Sequence, residues 1–283
     1  MRMRIEGGRA LVEGRLEEAS IHLDCEAGII TAVGAQTSAE RTIDASGLLV
    51  LPGIVDIHGD AFERQMMPRP GVGFPIDVAL LESDRQAVAN GITTVFHGVT
   101  WSWEGGLRGA ENARAILDGI ECLRCRLGAD TRYHLRHETY NLDAEGEIIA
   151  WLAERRIDVI AFNDHMSATV NASNRAHRIG QMAERAGVTN EYFLGVIERT
   201  QRRGDEVPAS IKRLAAAAVA SGVPLLSHDD TSPERRRWFR ALGCRLAEFP
   251  TTVETAEDAM SHGSAPPTSF AVEATSVGST RPR

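Results

Sequence analysis

The sequence predicts an α/β protein with a small N-terminal β-sandwich domain followed by a TIM-like parallel β/α barrel. The barrel is predicted to be incomplete, with about six of the usual eight strands present. Three observations support this fold class. Short apolar runs separated by Gly, Glu and Asp fill the first 50 residues, a pattern typical of antiparallel strands. After residue 50, strand patterns alternate strictly with helical patterns, which favours parallel strands joined by right-handed crossovers. Carboxylates and imidazoles gather where those strand patterns end, at the edge where barrels carry their chemistry.

Composition excludes several other classes. The chain has 283 residues, 43% of them hydrophobic, and a net charge of -8, which argues against nonspecific binding to nucleic acids or acidic membranes. The opening residues MRMRIEGGRA lack the apolar segment of a signal peptide, and no run approaches the roughly 18 apolar residues of a membrane span. We therefore expect a cytoplasmic protein without nucleic-acid or membrane partners. The four cysteines are Cys25, Cys122, Cys125 and Cys244. We expect all of them to be reduced thiols, because the single Cys-x-x-Cys pair lacks the second pair that a zinc site needs.

The elements are predicted in the following order. The β domain covers residues 1–50, the barrel covers 51–263, and an irregular tail covers 264–283. The apolar runs of the β domain are Ala10–Val12, Ala19–Leu23, Ile29–Val33 and Leu48–Val50. The six barrel strands are expected at 51–57, 91–96, 133–138, 157–162, 223–227 and 245–249. Helices are expected at about 110–127, 143–155, twice within 172–221, and at 232–242.

The barrel begins with a stretch that can hold a cation. Leu51–Asp60 reads LPGIVDIHGD, in which a Pro-Gly turn precedes a short apolar run and a polar tip. His58 and Asp60 are two residues apart, so on an extended strand both side chains point the same way. One strand thus offers an imidazole and a carboxylate to one metal.

Similar residues end three further strand patterns. The resulting clusters are His58 and Asp60; His137 and Glu138; Asp164 and His165; and His228, Asp229 and Asp230. A single histidine at a strand end is more often structural than a ligand, but four clusters on one rim are harder to explain that way. Oxygen and imidazole donors without thiolates suit one or two divalent ions, Zn²⁺, Mn²⁺ or Fe²⁺. The chemistry expected of such a site is hydrolysis by a metal-activated water, with a nearby Asp or His moving the proton.

Several motifs carry a resemblance to a known family. They are HGD at 58–60, PRPGVGFP at 68–75, ENAR at 111–114, NDH at 163–165, SHDD at 227–230 and AEFPTT at 247–252. With the β-domain start, they make residues 4–263 similar to the amidohydrolase superfamily and, within it, to the α-D-ribose 1-methylphosphonate 5-triphosphate diphosphatases of the carbon-phosphorus lyase pathway. The resemblance implies that water cleaves a phosphorylated sugar, the ribose 5-triphosphate, to the 5-phosphate and diphosphate.

The resemblance also implies roles for individual residues. His58 and Asp60 would bind a first metal, Glu138 would bridge, and His165 and His228 would bind a second metal. The alternative for Glu138 is a salt bridge to Arg136 or another cation on the rim.

Two arginines would bind substrate by the same resemblance. Arg69 would anchor a phosphate, since its planar guanidinium matches a pair of phosphate oxygens, and Arg64 would assist. The alternative for Arg69 is a rigid surface turn between two prolines.

The sequence departs from the family in two places. The loop after His165 reads Met166–Val170 instead of a Pro-Gly-Gln segment, and the family's Asp after the eighth strand, its last metal ligand and catalytic base, has no counterpart. The catalytic residue is therefore left unassigned. Besides the diphosphatase, two hypotheses stay open: another amidohydrolase, such as a cyclic amide hydrolase or a deacetylase, and an inactive truncated product. Open strand edges in an incomplete barrel would favour self-association, so a homo-oligomer is one expected outcome.

The tail offers a reason for the departure at the end of the chain. If the codons of residues 265–275 are read two nucleotides out of phase, synonymous third bases permit the family segment Gly-Ala-Pro-Asn-(Ile/Val)-Val-Arg-Gly-Gly-Ser-His. We therefore expect a frameshift near residues 262–264 that replaced the last two barrel strands.

Overall fold

The computed structural model describes residues 1–35 and 37–262, and the chain divides into two compact units. The first unit is Met1–Ile54 and the second begins at Val55. The tail at 264–283, with the expected frameshift, lies outside the described residues.

The first unit is a small β domain with two sheets. Its strands, in chain order, are β1 (Arg2–Glu6), β2 (Arg9–Val12), β3 (Arg15–Glu18), β4 (Ile21–Asp24), β5 (Ile29–Val33), β6 (Arg41–Asp44) and β7 (Leu49–Val50). One sheet has the order β5-β4-β1-β6 and the other β3-β2-β7. Three of the five described strand pairs are antiparallel, as predicted, whereas β1 runs parallel to β6 and β2 parallel to β7.

The second unit contains the predicted parallel sheet. Its strands are β8 (Ile54–Gly59), β9 (Ile92–Trp101), β10 (Asp130–Glu138), β11 (Val159–Asn163), β12 (Leu225–His228) and β13 (Leu246–Glu248). The six strands follow one another across the sheet in chain order, and the sheet curls into a half-barrel. The predicted fold class is confirmed. Because β9 to β13 pair in parallel, their carboxyl ends meet at one edge of the sheet.

Ten helices are described. They are α1 (Phe62–Met66), α2 (Ile76–Ala89), α3 (Ala110–Leu123), α4 (Glu145–Ala153), α5 (His165–Val170), α6 (Arg175–Ala186), α7 (Asn190–Gln201), α8 (Val207–Ser221), α9 (Pro233–Ala241) and α10 (Val253–Ser261). None of the helices in the described ranges is long and apolar enough to cross a membrane.

The region 172–221 holds three helices where the sequence predicted two. Gly187 ends α6 in the left-handed conformation, at φ 72°, and Thr189 then caps α7 by accepting a hydrogen bond from the backbone N–H of Tyr192 at 3.2 Å. The apolar periodicity of this region alone does not show where one helix ends and the next begins. Gly187 and Thr189 set that boundary between α6 and α7.

The core lies between the sheet and the helices that cover it. On α3, the buried residues recur at helical spacing, and they are Ala113, Ile116, Leu117, Ile120 and Leu123. On β11, Ile160, Ala161 and Phe162 are buried on both faces of the sheet, as expected of a central parallel strand. This packing fixes the strands whose carboxyl ends form the candidate site. All four cysteines are free, and only Cys244 is buried.

Candidate metal centre

The two outer strands of the curled sheet meet at the candidate site. His58 lies in β8 and Glu248 ends β13, and these strands are at opposite ends of the strand order. The His58 Nδ1 atom is nevertheless 3.2 Å from Oε1 of Glu248. The curl therefore brings residues from both sheet edges into one cluster.

A second histidine joins this pair from the middle of the sheet. His134 lies in β10, and its Nδ1 is 2.9 Å from the carbonyl oxygen of Ile57. Its Nε2 is 3.6 Å from Oε2 of Glu248. The ring is fully buried, and that burial lowers the pKa of His134 to about 4, so the imidazole is neutral near pH 7.

These contacts define a site that fits a cation. Because the Nδ1–H of neutral His134 donates to Ile57, its Nε2 carries a lone pair and faces a carboxylate oxygen. Both His134 Nε2 and Glu248 Oε2 are buried, and neither has a hydrogen-bond partner. Two electron-rich atoms left facing each other are unfavourable unless a cation lies between them. One atom each from His58, His134 and Glu248 lie within 4.8 Å of one another, and the bond from His134 to a backbone carbonyl is the support typical of a metal-binding histidine.

A second group of polar residues lies on the same rim. Glu138 accepts hydrogen bonds from the backbone N–H of His165 at 3.1 Å and from its Nδ1 at 2.5 Å. Burial opposes ionisation of Glu138, but the charge and hydrogen bonds of His165 outweigh it and lower the carboxyl pKa. The same carboxylate raises the pKa of His165. The two predicted ligands therefore pair directly with each other.

His228 lies between the two groups. Its Nε2 accepts from the Nη2 of Arg136 at 3.3 Å, and its Nδ1 is 2.9 Å from Oδ2 of Asp229. The His228 ring centroid lies 5.3 Å from that of His58 and 6.4 Å from that of His165. Asp229 itself has a left-handed backbone, at φ 55°, which is unusual for a residue other than glycine and is often found at functional sites.

The remaining predicted residues lie farther out. Asp60 is exposed and is not part of the cluster of His58, His134 and Glu248. Arg64 is exposed in the last turn of α1. Arg69 is exposed in a turn closed by a hydrogen bond from the N–H of Val72 to its carbonyl oxygen at 3.1 Å.

Sequence reasoning gave no role to two of the three clustered residues. His134 shares a strand face with Arg136 and Glu138, because alternate residues of β10 point to the same side. The rim residue named instead, His137, points to the other side, where its ring packs 6.3 Å from that of Phe162. The signal for Glu248 was present in the AEFPTT motif, which places a carboxylate at a strand end.

A cavity lined by basic side chains adjoins this rim. It has a volume of about 470 Å³, within the range of ligand pockets. Its charged and imidazole lining residues are Arg108, His165, His177, Arg178 and Arg185, and we call this space the basic cavity.

Comparison with known proteins places these features in context. No family model matches the chain. It is 29% identical over 264 residues to α-D-ribose 1-methylphosphonate 5-triphosphate diphosphatase of Escherichia coli (strain K12), a match that covers 87% of this chain and 67% of the relative. A dihydroorotase of Trichlorobacter lovleyi is 31% identical over 98 residues, 34% of this chain and 21% of that protein.

One solved structure has a similar fold. A structure from Bifidobacterium longum, described as a putative prolidase, superposes with a TM-score of 0.54 at 13% identity. The superposition covers 91% of this chain and 56% of that one, so the chain spans little more than half of the protein whose fold it shares.

Proposed function

From the resemblance of this chain to α-D-ribose 1-methylphosphonate 5-triphosphate diphosphatase of the amidohydrolase superfamily, we propose that it is a metal-dependent hydrolase of phosphonate catabolism. Its proposed substrate is α-D-ribose 1-methylphosphonate 5-triphosphate. The products are the 5-phosphate and diphosphate.

One observation carries the metal dependence. Glu248 Oε2 and His134 Nε2 face each other at 3.6 Å, buried and without hydrogen-bond partners, beside His58. We assign these three residues to hold one divalent ion, Zn²⁺, Mn²⁺ or Fe²⁺. When bound, such an ion supplies Lewis acidity, which lowers the pKa of water and offsets charge on a phosphoryl oxygen.

The neighbouring residues would orient the water and accept its proton. In the hydrolysis, a bond forms between the water oxygen and phosphorus, the anhydride P–O bond breaks, and diphosphate leaves with the bonding electrons. We assign Asp229 as the proton acceptor. Burial opposes its ionisation, but the nearby His228, His165 and Arg136 together outweigh burial and lower the pKa of this carboxyl, so it is ionised near pH 7. Arg136, buried beside His228, would face the negative charge that develops on the phosphate.

The other predicted residues keep their proposed roles. Asp60 remains a candidate ligand of the first ion, Glu138 a candidate bridging ligand, and His165 and His228 candidate ligands of a second ion. A second ion would have to displace the hydrogen bonds that Glu138 and His228 now make. Arg69 and Arg64 remain candidates for contacting substrate phosphates from outside the cluster.

A second candidate function rests on the dihydroorotase match over 98 residues. It would make the chain a cyclic amide hydrolase, for which a metal site is needed but a polyphosphate site is not. An inactive product is the third possibility, and the three differ in measurable ways.

The test is metal analysis of the purified chain combined with two assays. We expect about one equivalent of Zn²⁺, Mn²⁺ or Fe²⁺ and release of diphosphate from a ribose 5-triphosphate. Hydrolysis of dihydroorotate without diphosphate release would favour the second function. Bound metal without either activity would favour the third possibility, an inactive chain. A chain that binds no divalent ion would refute the metal assignment.

A further inference from the structure

The basic cavity is the part of the rim that the metal cluster leaves without a role. It is bounded by α5, α6 and the 3-10 turn Gly106–Arg108. Three of its lining residues are arginines, and no aspartate or glutamate lines it. In a chain with a net charge of -8, this concentration of positive charge is local.

Two of the arginines are held in fixed positions. Arg108 donates from Nε and Nη2 to the two carboxylate oxygens of Glu63, each at 2.9 Å. Arg185 donates from Nη2 to both oxygens of Glu104, at 3.0 and 2.8 Å. Both guanidinium groups are therefore ordered before any ligand arrives, which reduces the entropy lost on binding.

A close backbone contact joins the two elements that carry these arginines. Gly106 has φ 57°, and a Cβ atom at that position would lie 2.5 Å from the Cα of Ala186. The turn that carries Arg108 and the last turn of α6, which carries Arg185, therefore touch through their backbones. Only glycine permits this approach.

The third arginine is exposed and loosely held. Arg178 lies on α6, and its Nη1 donates to the carbonyl oxygen of Ala168 at 3.3 Å. His177 precedes it, also exposed, and Asn174 and Gln181 add amide groups to the lining. The cavity thus combines two ordered guanidinium groups, each paired with a carboxylate, with exposed donors on α6.

The cavity continues into the candidate metal centre through His165. This residue lines the cavity, and its ring is 6.4 Å from that of His228, which is in turn 5.3 Å from that of His58. We propose that the basic cavity binds the terminal phosphates of a polyphosphate ester while the bond to be cleaved lies at the metal cluster. The proposal rests on the proposed function, and it assigns specificity for the polyphosphate arm to Arg108, Arg178 and Arg185.

The test measures anion binding apart from catalysis. Inorganic tripolyphosphate is titrated calorimetrically into the full chain as purified, and the titration is repeated with chelator present to separate any contribution of bound metal or turnover. We expect binding that Arg178→Ala weakens about tenfold or more, since it removes a charged hydrogen-bond donor without unpairing a carboxylate. Arg202→Ala is the matched control, because Arg202 is exposed after α7 and does not line the cavity.

Each outcome decides the matter. No binding of tripolyphosphate, or equal weakening by both substitutions, would overturn the proposal. Weakening by Arg69→Ala with no effect of Arg178→Ala would overturn it too, and would place the phosphates at the Pro68–Val72 turn. Binding that depends on Arg178 in a chain that releases no diphosphate would support the cavity assignment while the proposed function fails.

Discussion

Glu248 joins three strands through one carboxylate. Its Oε1 contacts His58 of β8 and its Oε2 faces His134 of β10, while the residue itself ends β13. Burial opposes its ionisation, but the hydrogen bond from His58 and the nearby histidines lower the pKa of this carboxyl, so it is negative near pH 7. A buried, ionised carboxylate between two imidazoles fits the metal-ligand role that we propose for Glu248.

The first prediction follows from that geometry. Glu248→Gln keeps the shape but removes the negative charge, so we expect Zn²⁺ affinity to fall at least about tenfold, as measured by calorimetry. Asp60→Asn separates the two site assignments, because Asp60 lies outside the cluster although its motif predicts a ligand. Glu234→Gln, at an exposed position in α9, is the control. Metal lost from Asp60→Asn but retained by Glu248→Gln would refute the cluster.

The second prediction concerns His97. Burial lowers the pKa of this ring to about 4, whereas an unfolded histidine titrates near 6.5. Between these pH values the unfolded histidine binds a proton that the folded one does not. The free energy of unfolding therefore has its full value above pH 6.5 and falls as the pH drops towards 4. The loss reaches about 3 kcal/mol at most.

The measurement compares His97→Phe with the unchanged chain. Phenylalanine does not titrate and can pack against Phe62, whose ring centroid is 4.9 Å from that of His97. In urea unfolding at pH 7, 5.5 and 4.5, the variant should gain stability relative to the unchanged chain as the pH falls. A difference in stability that is the same at all three pH values would contradict the pKa assignment.

At the scale of elements, β10 explains both the success and the limit of sequence analysis. The run Tyr133–Glu138 correctly predicted a strand ending in Glu138, and the strand-end clusters lie on the rim where the rings of His58, His165 and His228 are near one another. Eight of its nine residues are buried or half-buried, on both faces. Because neither face is solvent-exposed, hydrophobicity cannot indicate which one lines the site. Sequence analysis therefore named His137 as a rim residue, whereas His134 is the histidine that lies in the cluster.

The third prediction tests how α6 is seated. Gly106→Ala would place a Cβ atom 2.5 Å from the Cα of Ala186, so the turn and the helix must separate. We expect a loss of stability of about 2 kcal/mol or more, from the left-handed backbone and the overlap together.

Gly187→Ala is the matched control for this change. Gly187 is also left-handed, at φ 72°, but no atom lies within 4 Å of its Cβ position. It should lose only the backbone contribution, about 1–2 kcal/mol. Chemical denaturation of both variants compares them, and equal losses would mean that the close contact with Ala186 is not tight in solution.

At the scale of the whole molecule, the sheet is open at both ends of its strand order. Within the described ranges, β8 and β13 each pair on one side only. The sequence predicted six strands in a β/α order but could not predict that the first and last would approach each other, because the curl is a property of the assembled sheet.

The fourth prediction addresses these edges. Val55 of β8 is 43% exposed, and an unpaired apolar strand edge favours association. We expect the chain to self-associate with increasing concentration in sedimentation velocity, and Val55→Lys to shift it towards the monomer. Val219→Lys, at a 59% exposed position in α8, controls for added charge. A chain that stays monomeric at all concentrations, or that responds equally to both substitutions, would exclude association through β8.

The contact between His58 and Glu248 closes a loop of 190 residues. A cation shared by these two side chains would act as a cross-link. The chain entropy lost on closing the loop grows only with the logarithm of the loop length. Its binding energy would appear as stability of the curled half-barrel, about 2.7 kcal/mol when the free cation is at a hundred times its Kd. Removing the ion would then lower the stability of the half-barrel as well as its activity, because the contact between β8 and β13 would lose the shared cation.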